Sequence, residues 1–460
     1  MRNFLINSFI ITMAIMLICT AIQGAEPDIS KSNQRVVIAY EIERTGNFLK
    51  EPGNVPIEFL RRLGRVINKN WNSDKDKIEA ASIFSEEKTG KPDFLKPIAI
   101  EYLHKEQAAA TKELLNRYSS EANELLEEIK PDEKCFLIKA VAETATMLEI
   151  MKELTKDENF INKMRKETVE KINQQVIPLL ESSDYIVCSA ILSQKGFEAQ
   201  FRIRSLESKL ANPKINHSIS ISNYINPDSL MAFAQTHPIE SPAEIMADLK
   251  KLPNTESVLQ MIASAGLDMQ NDLIANSARE SIFYFNFDPT GESGLPDARF
   301  VAPVPDIKKL ENNLGKLKNL CMQLGVFVKI IDDKFKAVRL SYFMFPQYAV
   351  YAALESGFLV LATSQENLYD EMEFIREVKN GKTIGEKIEP GLQRYWRISF
   401  DGFNLQLQKF LQSPLMIDKG IPPIPNLSML DDLGPLRLLT RLTPEKIDFS
   451  VFLPIKPVKD

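Results

Sequence analysis

The sequence is poor in the residues that build most recognisable active sites. It has 3 histidines in 460 residues, His104, His217 and His237, each isolated. Without an H-E-x-x-H or similar pairing, a histidine-rich zinc site would need distant residues to converge. Cysteine is scarce too, at 4, and none stands in a C-x-x-C or other metal-type spacing. No metal ligand and no cofactor follow from these residues. Basic residues are not in excess: 56 Lys+Arg stand against 62 Asp+Glu, a net charge of -6 with a pI near 5.5. The electrostatic footprint that holds phosphate backbones is missing, which argues against nucleic acid as a partner. Glycine (18) and proline (26) are too few for collagen-like or low-complexity sequence, and 44% apolar with 26% charged residues is the balance of a folded globular chain. At roughly 150 residues per domain, the length allows two or three domains with true cores.

Long apolar runs are also missing, with one exception. Arg2 precedes an apolar stretch from Phe4 to Ile22, broken by Asn7, Ser8, Thr12 and Thr20, and Gly24 and Ala25 follow it. Charged, apolar, small is the order of an export signal. Residues 1–25 are expected to be a signal peptide, with a mature chain from Glu26 that is exported, periplasmic or extracellular. At about 1.5 Å per helical residue the stretch nearly spans a bilayer, so a retained N-terminal membrane anchor is the alternative. Cys19 does not make a lipoprotein, because Met16, Leu17 and Ile18 precede it where the lipobox motif has a small residue. Cys135, Cys188 and Cys321 read as packing residues. A cross-strand bridge between Cys135 and Cys188 is the oxidised alternative.

Hydrophobic periodicity then divides the chain. Residues 35–42 are strand-like, and 104–130 place Ala108, Leu115, Ala122, Leu126 and Ile129 on one face of a long helix. A strand at 135–138, helices over 141–156 and 158–181, and a hairpin of 185–192 with 196–204 complete a helix-rich half, 26–210. A polar connector with Asn212-Pro213 leads to a strand-rich half, 218–460. It is expected to open with a strand at 218–224 and a short helix starting at Pro227 and Asp228. Strands follow at 281–287, 298–304, 326–331, 335–345, 348–354, 358–362 and 394–399, with a helix capped by Asp306 and closed by Gly325. Hairpins alternating with covering helices give an α+β fold of mostly antiparallel sheets. The halves look like divergent copies at their ends, 135–140 matching 395–400 and 191–199 matching 441–449.

Two short patterns, residues 227–233 after a strand and 357–364 entering a helix, resemble a bacterial family of exported proteins known only as a domain of unknown function. The resemblance covers about residues 219–365. It implies export and supplies no catalytic residue.

Motifs that would carry chemistry are absent or explained by turns. Gly291-Glu-Ser-Gly294 is not a G-x-S-x-G elbow, and Gly381-Lys-Thr383 lacks the first P-loop glycine and closes a helix instead. Asp332-Asp333 and Asp431-Asp432 read as turn residues. The suggestive feature is aromatic: Phe283, Tyr284, Phe285 and Phe287; Tyr342, Phe343, Phe345, Tyr348 and Tyr351; Tyr395, Trp396, Phe400 and Phe403. Strands apolar on both faces are sandwiched by helices or line an apolar cavity. The proline-rich 421–425 suits an extended loop covering a sheet edge. No catalytic, cofactor or metal residue is nominated. The expectation is an exported, non-enzymatic protein that binds an unknown envelope protein or serves a structural role. A carrier of a lipid or other apolar ligand, and an exported hydrolase with a dispersed site, are the alternatives.

Overall fold

The computed structural model describes residues 38–44, 113, 115–129, 135–145, 177–193, 195–205, 217–237, 242–250, 255–290, 295–333, 336–412, 430, 432–443 and 445–456, with single positions at 148, 152 and 173. The N-terminal apolar stretch, most of the predicted helices over 104–181, the connector and the proline-rich loop lie outside these residues.

In the first half, β1 (Ile38–Arg44) is followed by α1 (Ser119–Ile129), β2 (Cys135–Glu143), α2 (Ile177–Glu181), β3 (Tyr185–Ser193) and β4 (Gly196–Arg204). The second half starts with β5 (Met231–Thr236), α3 (Pro242–Leu249) and α4 (Thr255–Ser264), then β6 (Glu280–Thr290) and β7 (Leu295–Pro303). Helix α5 (Ile307–Gln323) leads to β8 (Val326–Asp332), β9 (Ala337–Tyr342), β10 (Phe345–Glu355) and β11 (Phe358–Ala362). Helix α6 (Gln365–Lys379), β12 (Arg394–Ile398), α7 (Phe403–Leu411), β13 (Leu436–Leu442) and β14 (Lys446–Pro454) follow among the described residues. The α+β class with antiparallel pairing holds, and the strands join in one 14-stranded sheet, β1-β2-β3-β4-β14-β13-β12-β5-β6-β7-β11-β10-β9-β8. Its ladder crosses between the halves at β4 and β14, where Gln200 faces Ser450.

From β1 to β5 the order reads the same from either end, centred on that junction. The alignment of Ile191 with Arg441 also carries one hairpin onto the other in register. Ile191↔Glu198 falls on Arg441↔Asp448, and Cys188↔Phe201 on Leu438↔Val451. Strand β2 lies beside β3 as β12 lies beside β13, with a ladder register four residues away from the match read in sequence. Lys139, opposite Ser189, stands where Tyr395 stands opposite Leu439. By the same correspondence Ile38 and Met231 are both the first residues of their strands.

Cross-strand partners point to the same face of a sheet. Helices α1 and α6 cover one face: Ser189 donates to the Ala122 carbonyl at 2.7 Å, while Leu368, Met372 and Ile375, spaced for one side of α6, are sealed against Ala234, Ile282, Val301 and Val360. Caps set the helix limits. Ser364 accepts from Asn367 N to start α6, and Asn380 with Gly381 (φ 90) ends it. Asp306 accepts from Lys309 N to start α5, and Gly325 (φ 74) ends it.

The expected strand at 218–224 is a correction: that segment ends in a single 3-10 turn at Ser222–Tyr224. Residues 227–230 turn rather than open a helix. Asn226 Oδ1 accepts from Asp228 N, the local bond that Asn offers in place of helix, and β5 follows with strict in-out alternation. Strand β2 likewise runs to Glu143, through the predicted helix start at 141.

Candidate functional site

Among the described residues three arginines, Arg202 and Arg397 buried and Arg299 partly so, organise the polar groups of the sheet. Arg202 on β4 lies inside the junction, with Asp448 Oδ1 2.8 Å from Nε and Glu124 and Glu128 of α1 at 3.0 and 3.5 Å. Arg299 on β7 forks onto Asp297 at 3.0 and 3.1 Å and reaches Asn367 Oδ1 at 3.1 Å and Glu371 at 3.4 Å. Arg397 on β12 donates to the carbonyls of Pro227, Asn226 and Ser229 and pairs with Glu386 at 3.1 Å. Each guanidinium is met by carboxylates or carbonyls inside packed layers, which is how proteins satisfy buried charge.

Glu371 is sealed from solvent, and its Oε1 has no hydrogen-bond partner. Burial, outweighing Arg299, raises its carboxyl from 4.5 to about 7. Because the folded value lies above the unfolded one, the folded chain keeps a proton that the unfolded chain releases. The stabilisation from this group is full below about 4.5 and lost as pH rises through about 7. Urea unfolding at pH 5 and pH 8 should show this loss, about 3 kcal/mol at most. In Glu371→Gln the difference should largely vanish, and an unchanged pH profile would exclude Glu371 as its source.

The histidines and cysteines do not assemble into a reactive centre among the described residues. His237 Nε2 lies 3.0 Å from Ser281 Oγ, and burial lowers its pKa, so the ring is neutral near pH 7. Ser281, however, lies in a β6 ladder opposite Gln235. Amides committed to a ladder do not converge as an oxyanion hole does. His217 Nε2 contacts the Arg279 carbonyl, and His104 lies outside the described residues. Cys188 is free, and burial pushes its thiol up to about 12, far from a reactive thiolate. Cys135 pairs with Ser193, five positions along β3 from Cys188. That separation, about 17 Å, is beyond the reach of a disulfide. No group of three or more His, Cys, Asp or Glu among the described residues is placed to hold a metal ion.

The aromatic residues separate into three environments. Tyr284 and Tyr395 are core, their hydroxyls held by the Tyr224 carbonyl and by Glu386. Between the sheet and α6 the space is filled by side chains. Phe285, Phe287 and Phe403 pack edge to face, so α7 covers the opposite face at β6. A pocket of about 260 Å³ lined by Ile129, Ile191, Ser193, Lys195, Glu198 and Phe452 opens beside the β3–β4 turn. It is smaller than typical ligand pockets.

The third group is exposed, on the face away from α1 and α6. An unbroken apolar row crosses nine strands there: Ile330, Val338, Ala352, Leu361, Phe300, Phe283, Phe233, Trp396 and Leu438, each opposite the next. Phe283 and Ile330 are exposed, and Phe233 stacks obliquely on Trp396 at 4.2 Å. Where β8, the edge strand, meets the β9–β10 turn, exposure peaks: Met344 59%, Phe343 53% and Phe345 50%, with Met322, Leu324, Tyr342 and Tyr348 also exposed, and Phe327 (63%), opposite Ser341, exposed on the other side of the same edge. The corner is built, since Phe343 N donates to the Gly325 carbonyl at 3.0 Å. A Cβ on Gly325 would stand 2.9 Å from the Phe343 ring. Tyr342 contacts Phe343 and stacks on Phe345, at 5.1 and 6.4 Å between ring centroids. Sequence reading found the aromatics but missed Met322, Leu324, Phe327 and Met344. The legible signal was Phe343-Met-Phe345 within a predicted strand, where a turn with apolar residues was needed.

No protein-family model and no curated protein matches the chain. A solved structure described as "Structure of crystal form III of TP0453" is similar at 9% identity and a TM-score of 0.25, covering 53% of this chain and 82% of that one. Likeness at that level carries no argument about fold or function.

Proposed function

We propose that the chain is an exported, non-enzymatic binding protein of the cell envelope, whose working surface is the exposed aromatic corner formed by α5, β8 and the β9–β10 turn. The observation that carries this is the concentration of exposed large apolar side chains at one corner. Soluble proteins rarely leave such contiguous patches without a partner, and an apolar edge strand without one invites aggregation. The N-terminal order of charged, apolar and small residues supports export. The same reading takes the two palindromic units around the β4–β14 junction as copies of one ancestral unit. Carriage of an apolar ligand is the second reading, favoured by the apolar row, and it would have to use that outer face.

The test is a photo-reactive residue in place of Met344, illuminated in intact host cells, with the exposed Glu373 of α6 as control. Adducts to another molecule are expected from position 344 and not from 373. Absence of adducts at 344 would remove the corner as a working surface.

A further inference from the structure

We propose that this corner docks on the surface of an anionic lipid bilayer, an inference that rests on reading the corner as the working surface. Between Asn312 and Ile331 the chain carries Lys316, Lys318 and Lys329 and no Asp or Glu, in a chain whose net charge is -6, whereas Lys334 and Lys336 sit beside Asp332 and Asp333 and Lys336 pairs with Glu311. The two acids stand at the far end of β8, six residues from Val326. That places them about 20 Å from the corner. Lys316, Lys318 and Lys329 are exposed. On α5, Leu314, Lys318 and Met322 are all exposed and follow one another at four-residue spacing, so a cation lies between two apolar groups on one stripe. On the edge strand β8, Phe327 and Lys329 share the face on the α6 side, so apolar and cationic groups flank the edge on both sides.

Shape and composition agree with a bilayer. Phe343 and Met344 form the turn itself, and Phe345 and Tyr348 follow on β10. Apolar and aromatic groups beside lysines are the pattern that lies in the headgroup region, with apolar groups below and cations at phosphate level. Each lysine near an anionic leaflet contributes attraction that salt screens. No helix among the described residues is long and apolar enough to cross a membrane, and surface docking requires none.

Hydrogen exchange on the full chain, with phosphatidylglycerol vesicles and separately with phosphatidylcholine vesicles, locates any contact directly. Protection of residues 322–328 and 342–348 by the anionic vesicles only, lost at high salt, is the expected result. The triple variant Phe343→Ser, Met344→Ser, Phe345→Ser should lower anionic-vesicle affinity about a hundredfold. Lys318→Glu with Lys329→Glu should lower it about tenfold. All five positions are exposed, and unchanged thermal unfolding would show both variants folded. Vesicle binding with these segments unprotected would overturn the proposal, because it would come from elsewhere, such as residues 4–22. Equal protection by both lipids would overturn it too, as would none by either. If cells then still yield protein adducts from position 344, the corner remains a working surface with a protein partner. If they yield none, both readings fall.

Discussion

Arg397→Ala should destabilise the protein by about 4 kcal/mol, the largest single-residue effect expected here. The Arg397 side chain is 6% exposed and its partner Glu386 is 8% exposed, so neither is compensated by water when the other is removed. The guanidinium also closes the turn before β5. Its Nη2 donates to the carbonyls of Asn226 and Ser229 at 3.0 and 2.7 Å and to Ser229 Oγ at 2.8 Å, and its Nη1 donates to Pro227 O. Alanine leaves those carbonyls and a buried carboxylate short of donors, each at a cost. Arg397→Lys should recover only part of the loss, since a single ammonium cannot span three carbonyls and a carboxylate. Urea midpoints with an unchanged m-value measure the loss, and faster hydrogen exchange over 226–231 places it. An Arg397→Ala midpoint near wild type would mean that the turn holds its own shape.

At Arg202 the expected loss is smaller, about 3 kcal/mol for Arg202→Ala. Its side chain is 1% exposed, but Glu124 and Glu128 are 53% and 42% exposed and can turn to water, leaving Asp448 as the enclosed partner. Three carboxylates would also face one another without the cation, so the loss should grow on lowering salt. Arg202→Met, which keeps the stem's packing, should cost less than alanine. Since Arg202↔Asp448 is a rung of the β4–β14 ladder, unfolding should loosen that junction first. If Arg202→Ala and Asp448→Ala prove additive, the pair contributes nothing beyond its separate parts.

Much of the fold was legible because strands and caps are local. Tyr185–Ser193 and Gly196–Arg204 alternate and flank a polar turn, while Asp306 and Gly325 bracket α5 by their own hydrogen bonding and φ. The errors lay where a side chain from elsewhere decides the backbone. Residues 226–230 turn under Arg397, which is 168 to 171 positions away. The aromatics were visible as a class, but not their roles. Phe283 and Tyr284 are neighbours of the same type, and period two alone makes one exposed and the other core.

The sequence by itself determined the strand-rich α+β class, most strand positions, the ends of α5 and the stop of α6. These follow from alternation, capping and turn chemistry within a few residues. Only the tertiary structure decided that β4 pairs with β14 to make one sheet, that α1 and α6 cover the same face, and that Arg202, Arg299 and Arg397 find their carboxylates. It also left the corner at Gly325 and Phe343 bare. The physical reason is that burial is a property of what lands on a face. A periodic pattern marks which side chains share a face, while the covering is supplied by residues elsewhere in the chain, as Ala122 lies over Ser189 and Leu368 over Ala234.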